Sequence, residues 1–155
     1  KAIPDVTLRT TFITGFPTET EEEFNSLAEF IKETRFDRLG CFTYSAEEDT
    51  IAATFDGQID EQTKNDRMEN IMEQQMTIAA EKNEEKAGTV TEVLIEGWDD
   101  YIKCYFGRTS ADAPEIDGKV FFFSPRPLEI GTFVNVLIND TVEYDLLGEL
   151  WEEQE

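Results

Sequence analysis

The chain changes rhythm once, at Gly88, and that break constrains its fold more than any single motif. Before it, strand-like and helix-like stretches alternate. Val6–Thr14 is rich in β-branched residues and stops at Gly15-Phe16-Pro17, a natural breaker. Its alternation puts Val6, Leu8 and Phe12 on one face and Thr7, Arg9, Thr11 and Ile13 on the other. Thr20–Arg35 reads as a helix. Thr20 with Glu23 has the spacing of a capping box, and Glu21, Glu22 and Glu23 sit at the positive end of the helix dipole. Phe24, Leu27, Ala28 and Ile31 make one apolar stripe. Leu39–Tyr44 is the next strand, and a long helix is predicted from Asp60 to Lys86, with Met68, Ile71, Met72, Gln75 and Ala79 along one face.

Strand, helix, strand, helix is the grammar of a parallel sheet. Two such units cannot close an eightfold barrel, which needs ~200 residues or more. Residues 1–87 are therefore expected to be part of a βα barrel. After Gly88 the pattern turns to short alternating strands: Thr89–Glu96, Tyr101–Gly107, Lys119–Ser124, Thr132–Asn139 and Val142–Leu147. Ile102, Cys104 and Phe106 share one face, opposite Tyr101, Lys103 and Tyr105; Val134, Val136 and Ile138 form a second apolar set, and Val142, Tyr144 and Leu146 a third. Five short strands in residues 88–155 predict a small, closed, antiparallel barrel of the OB type. The fold class is α/β followed by all-β.

Charge and missing residue types then narrow the chemistry. The chain has no histidine, which excludes Ser-His-Asp and Cys-His catalysis and any His-ligated metal site within it. Cys41 and Cys104 are too few to hold an iron–sulfur cluster and are expected to be small buried apolar residues. So few cysteines suit a reducing compartment, and a cytoplasmic location is expected. No apolar run approaches the ~20 residues of a membrane span. The opening Lys1-Ala2-Ile3-Pro4-Asp5 has neither an initiator Met nor a signal pattern, so the chain is expected to be a segment of something longer.

The formal net charge is -22. Residues 1–85 hold 8 basic and 20 acidic residues, net -12, and residues 86–155 hold 5 and 15, net -10. Neither part hides a basic domain. One reading is that the acidity only aids solubility. The other concerns partners: a surface of this sign repels phosphate backbones, so nucleic acid is disfavoured, and attracts basic polypeptides.

The run Leu8-Arg9-Thr10-Thr11-Phe12-Ile13-Thr14-Gly15-Phe16-Pro17-Thr18-Glu19-Thr20-Glu21-Glu22-Glu23-Phe24 resembles the latter part of a radical S-adenosylmethionine barrel, and more narrowly the methylthiotransferase branch. Phe36-Asp37-Arg38-Leu39-Gly40-Cys41-Phe42-Thr43-Tyr44-Ser45 is similar to that branch's next strand, and the five-stranded tail corresponds to its TRAM domain. Gly107–Gly118, containing Ala113-Pro114-Glu115-Ile116-Asp117-Gly118, and Val142–Glu149 resemble the RimO type rather than its tRNA-modifying relatives. The resemblance covers nearly the whole chain. It implies transfer of a methylthio group to the β-carbon of an aspartate in a basic small-subunit ribosomal protein, with S-adenosylmethionine and two 4Fe-4S clusters in the full-length enzyme. The three-cysteine radical motif and the N-terminal cluster domain are missing here, so the chain alone is expected to be inactive, with no catalytic and no metal-ligating residue of its own.

The resemblance also implies that the first strand helps hold S-adenosylmethionine. Arg9 then meets its carboxylate, Thr11 offers a hydroxyl, Ile13 lines the lumen, and Gly15 lets backbone approach the ligand. Phe42 and Tyr44 stack near the adenine. The plainer alternatives are that Arg9 pairs with a neighbouring carboxylate and that the two aromatics are core. The family pattern places a glutamate three residues after the glycine, where this chain has Thr18 followed by Glu19, so Glu19 is given no role. In the tail, Asp112, Glu115 and Asp117 lie in a turn-rich loop where small barrels bind partners, with Tyr105, Tyr101 and Trp98 as apolar contacts beside it. The alternative is a solvated turn whose geometry Pro114 and Gly118 set. Two other whole-chain readings stand against a substrate-docking enzyme piece. One is a tRNA-modifying methylthiotransferase with an RNA-binding barrel. The other is a generic acidic interaction domain, which leaves the strand–helix part unexplained. Exposed strand edges predict that the isolated piece self-associates.

Overall fold

The computed structural model describes residue 3 and residues 6–152. Its contacts divide the chain into two compact units, one ending at Ala79 and one beginning at Ala80. The first contains strand β1 (Arg9–Thr14), helix α1 (Glu21–Thr34), strand β2 (Arg38–Thr43) and a single 3-10 turn at Ala52–Thr54. Helix α2 (Glu61–Glu84) runs through the division. The first unit is built as its sequence spacing suggests. Thr20 caps α1 in a full capping box, its hydroxyl accepting from the Glu23 N–H while the Glu23 carboxylate accepts from the Thr20 N–H. The helix ends where Arg35 turns into the left-handed region and its N–H donates to the Ile31 carbonyl at 2.9 Å. Asp60 caps α2, accepting from the N–H and hydroxyl of Thr63.

β1 and β2 pair in parallel, with Phe12 opposite Cys41 and Ile13 opposite Phe42. One face of this sheet packs on the helices. Phe24, Ala28, Ile31, Phe36, Cys41, Ile71 and Ile78 form the core, with Phe12, Leu27, Leu39, Met68 and Met72 against it. The stripe read for α2 packs on this core, with Ile71, Gln75 and Ala79 buried and Met68 and Met72 half-buried, but Lys64 and Arg67 on the same side of the helix are buried too, which periodicity alone counts as solvent-facing.

The second unit is a closed five-stranded barrel of β3 (Val90–Asp99), β4 (Cys104–Arg108), β5 (Val120–Phe123), β6 (Phe133–Val142) and β7 (Asp145–Leu150). Around the ring the order is β3-β4-β5-β7-β6. Four ladders are antiparallel and the fifth, β5 with β7, is parallel. The reason is topological: an odd number of strands cannot alternate direction all the way round a closed ring. Val93, Ile95, Val120, Phe122, Val136, Ile138 and Leu146 fill the interior.

Two segments depart from the expected strands. Tyr101–Lys103 form a turn, not the start of a strand, because the Asp99 carboxylate accepts from the N–H groups of Tyr101 and Ile102 and folds the chain back. The last strand starts at Asp145. Val142 closes β6 and Tyr144 lies in the turn, both exposed, so of the third apolar set only Leu146 reaches the core. Among the described residues no helix is long and apolar enough to cross a membrane.

Candidate functional site

The face of the β1–β2 sheet away from the helices is open. Strand alternation puts Arg9, Thr11 and Ile13 there, and the register sets Gly40 beside Thr11 and Phe42 beside Ile13. Ile13 is 57% and Phe42 62% exposed, so these aromatic and aliphatic surfaces belong to no core of the described residues. The donor set suits a ligand with a carboxylate at one end and a flat apolar group at the other: a guanidinium, a hydroxyl, and an Ile–Phe pair on adjacent strands.

Gly15 and Tyr44, expected on the same surface, are placed differently. Gly15 is buried at φ +74°, and a Cβ there would run into the Lys64 side chain. The close approach it permits is therefore to Lys64. Tyr44 packs edge-on against Phe16, ring centroids 5.3 Å apart, with the Lys64 ammonium 5.5 Å from its ring. Its hydroxyl is buried without a hydrogen-bond partner among the described residues.

What holds the open face in place comes largely from α2. Three of its buried side chains each donate to a backbone carbonyl of the sheet unit. Lys64 Nζ reaches the Tyr44 carbonyl at 3.1 Å, Arg67 Nη1 the Glu19 carbonyl at 3.2 Å, and Gln75 Nε2 the Phe36 carbonyl at 3.0 Å. Arg67 also pairs with the Glu19 carboxylate at 2.6 Å, and the same Oε1 accepts the Gly15 N–H at 3.1 Å. Glu19 thus ties the turn after β1 to α2. Sequence reading left it without a role because its spacing from Gly15 departs from the family pattern; the signal that finds it is the presence of Arg67 on the buried side of α2.

The two cysteines are poor metal ligands. Cys41 is buried in the helix-facing core and burial pushes its thiol pKa up, the Thr14 hydroxyl opposing and the Glu19 charge adding to it. The Cys104 thiol is raised by burial and then by the nearby Asp99 carboxylate. Among the described residues no three Asp, Glu or Cys side chains gather as a metal site. Two protonated thiols, one in each unit, do not fit an iron–sulfur cluster.

In the barrel, the residues read as docking groups are mostly engaged in building their own loop. Asp112 is 8% exposed, and its Oδ2 accepts from the Thr109 hydroxyl at 2.6 Å and the Thr109 N–H at 3.1 Å. Asp117 Oδ2 accepts from the Ala113 N–H at 2.6 Å. Tyr105 is a packing residue: its ring stacks on Phe122 and meets Trp98 edge-on, and its hydroxyl accepts from the Leu128 N–H at 2.9 Å. Glu115 alone of the four stands out in solvent, at φ +62°. It borders a cleft of about 450 Å³ shared with Glu96, Phe106, Asp117 and Lys119. Tyr101, 95% exposed, is not beside this loop. The turns before and after one strand lie at opposite ends of it, and β4 separates Tyr101 from the loop.

The model of the TRAM domain family matches residues 87–150. Among curated proteins the chain is 50% identical over 149 residues to one from Desulforamulus reducens, covering 96% of this chain and 34% of that protein. It is 51% identical over 149 residues to one from Caldanaerobacter subterraneus subsp. tengcongensis, with the same coverage. A protein of Clostridioides difficile is 50% identical over 149 residues, 96% of this chain and 33% of its own length. Each carries the name ribosomal protein uS12 methylthiotransferase RimO. The chain spans about a third of the length of these relatives. Across that third, which takes in both the open strand–helix unit and the TRAM barrel, the chain is similar to the proteins that carry the RimO name.

Proposed function

We propose that this chain is the cofactor-facing and substrate-docking part of a radical S-adenosylmethionine methylthiotransferase that modifies the β-carbon of an aspartate in ribosomal protein uS12. The observation that carries the reading is half identity, across both units, to relatives whose names state uS12 methylthiolation. The open face supports it. Arg9 would hold the carboxylate of S-adenosylmethionine, Thr11 would offer its hydroxyl, and Ile13 with Phe42 would cover the adenine; Gly15 and Tyr44 act one layer behind, shaping the turn. In such an enzyme S-adenosylmethionine supplies the radical chemistry. The residues of this chain orient it and keep water from its apolar part. The 4Fe-4S clusters need ligands from other parts of the parent protein, and the chain alone is inactive.

Docking of a basic protein on the acidic barrel completes the reading, with Glu115 as the free carboxylate of its loop. Asp112 and Asp117 act by holding that loop in shape. RNA is the poorer partner. From Lys86 onward every basic residue is already engaged: Lys86 with Asn83, Lys103 with Asp100, Arg108 with Glu96, Lys119 over the Phe106 ring, and Arg126 with Glu152. At Lys103, Arg108 and Arg126 a phosphate would have to displace a carboxylate first. The test is to reconstitute the full-length parent and offer it uS12 and tRNA together, with mass spectrometry of both. A methylthio group on a uS12 aspartate is the expected result; a methylthiolated tRNA with unmodified uS12 overturns it.

A further inference from the structure

The strand register assembles an aromatic and acidic surface on the outside of the barrel from residues far apart in the sequence. Phe123, Glu149, Leu137 and Val90 lie side by side across β5, β7, β6 and β3. In the next row the Trp151 N–H donates to the Asn135 carbonyl, and Asn135 stands opposite Glu92. Phe133 follows, opposite Leu94. Alternation keeps Phe122, Val136, Ile138 and Val93 inside and turns this set outward. Phe123 is 60% and Phe133 64% exposed, with Trp151 and Val90 also open. Contiguous exposed apolar surface rimmed by polar groups marks an interaction site. Neither Glu92 nor Glu149 has an ion-pair partner among the described residues.

We propose that this outer face of β5, β7, β6 and β3 is the docking surface for a Lys/Arg-rich polypeptide. A guanidinium or ammonium is drawn to the face of an exposed aromatic ring, and the interleaved carboxylates of Glu92 and Glu149 complement it at short range. The same carboxylates choose among occupants. A polyanion meets like charge, and a second copy of the chain brings its own net -22 to the interface. A cationic chain meets only attraction. Identifying that chain as uS12 rests on the function proposed above; the chemistry of the face does not.

The 155-residue chain and two variants, Glu92→Lys with Glu149→Lys, and Glu115→Lys, are titrated with purified uS12, with a synthetic oligo-arginine peptide and with tRNA, and sedimented alone. All substitutions sit on exposed surface, so circular dichroism should confirm an unchanged fold, and Phe133→Ser provides an uncharged check on the same face. The expected result is that the double variant weakens both cationic ligands about tenfold and flattens their salt dependence, while Glu115→Lys, on the neighbouring loop, weakens them by a smaller factor. Loss with Glu115→Lys but not with the double variant overturns the face and leaves the uS12 reading standing. Binding of oligo-arginine but not uS12, abolished by the double variant, keeps the face and removes uS12. Absence of any cationic binding, preferential tRNA binding, or dimerisation blocked by Phe133→Ser overturns the face.

Discussion

The two units solve one problem in opposite ways. In the barrel, ring closure pairs the strands with one another, and the interior is dry: none of the buried polar side chains among the described residues lies on β3–β7. The β1–β2 sheet has two strands among the described residues and stays open, so carbonyls at its ends and turns need donors from elsewhere. Helix α2 supplies them with Lys64, Arg67 and Gln75, each buried and each reaching a backbone oxygen. Closure allows a hydrophobic core; an open sheet takes polar side chains into its interior.

The contrast can be broken most directly in the barrel. Phe122→Ala removes a fully buried ring and is expected to cost about 4 kcal/mol, read from the denaturant midpoint by tryptophan fluorescence, since Trp98 and Trp151 both belong to this unit. A loss below about 1 kcal/mol would mean the core is not tightly packed. Next in size, Arg67→Ala strands the Glu19 carboxylate and should cost about 3 kcal/mol by helical circular dichroism. Removing Glu19 as well should recover part of that loss. Strict additivity in the double-mutant cycle would show that the pair is not coupled and would undo the account of the open sheet.

The smallest effect sharpens the boundary of α1. Thr20→Ala should cost about 1 kcal/mol. The hydrogen bonds from Thr20 hold the Glu23 carboxyl below its ordinary range. A carboxyl with a lowered folded-state value stabilises fully above its unfolded value and loses that contribution as pH falls through the folded one. NMR titration should therefore find the Glu23 carboxyl below its usual midpoint in the native chain and only part of the way back in Thr20→Ala, which removes the hydroxyl but keeps the larger contribution of the backbone N–H. An unmoved midpoint would detach the cap from the acid response.

Helix α1 was legible because each of its signals is local: the cap, the acidic first turn and the Phe24–Ala28–Ile31 stripe all lie within one stretch of chain. The sheet face of Arg9, Thr11 and Ile13 was legible by simple alternation. Lys64 and Arg67 were not, since a charged residue reads as solvated until the carbonyls it serves are placed by segments 20 to 48 residues away. The loop at Asp112 and Asp117 shows another limit. Sequence counts charges but does not reveal that backbone N–H groups already occupy these carboxylates. At Tyr101–Lys103, alternation continued through a segment that Asp99 bends into a turn. The outer aromatic face of the barrel draws on four strands, so it exists only once the register is known.

The two-stranded sheet has a further consequence. In parallel pairing, alternate N–H groups of β1 and β2 point away from the neighbouring strand. In the 155-residue chain these amides should take up deuterium quickly, while those between the strands stay protected. A further strand paired to either edge would slow them. Isotope uptake at Arg9–Thr14 and Arg38–Thr43 therefore provides a residue-level gauge of whether this sheet has gained a neighbour.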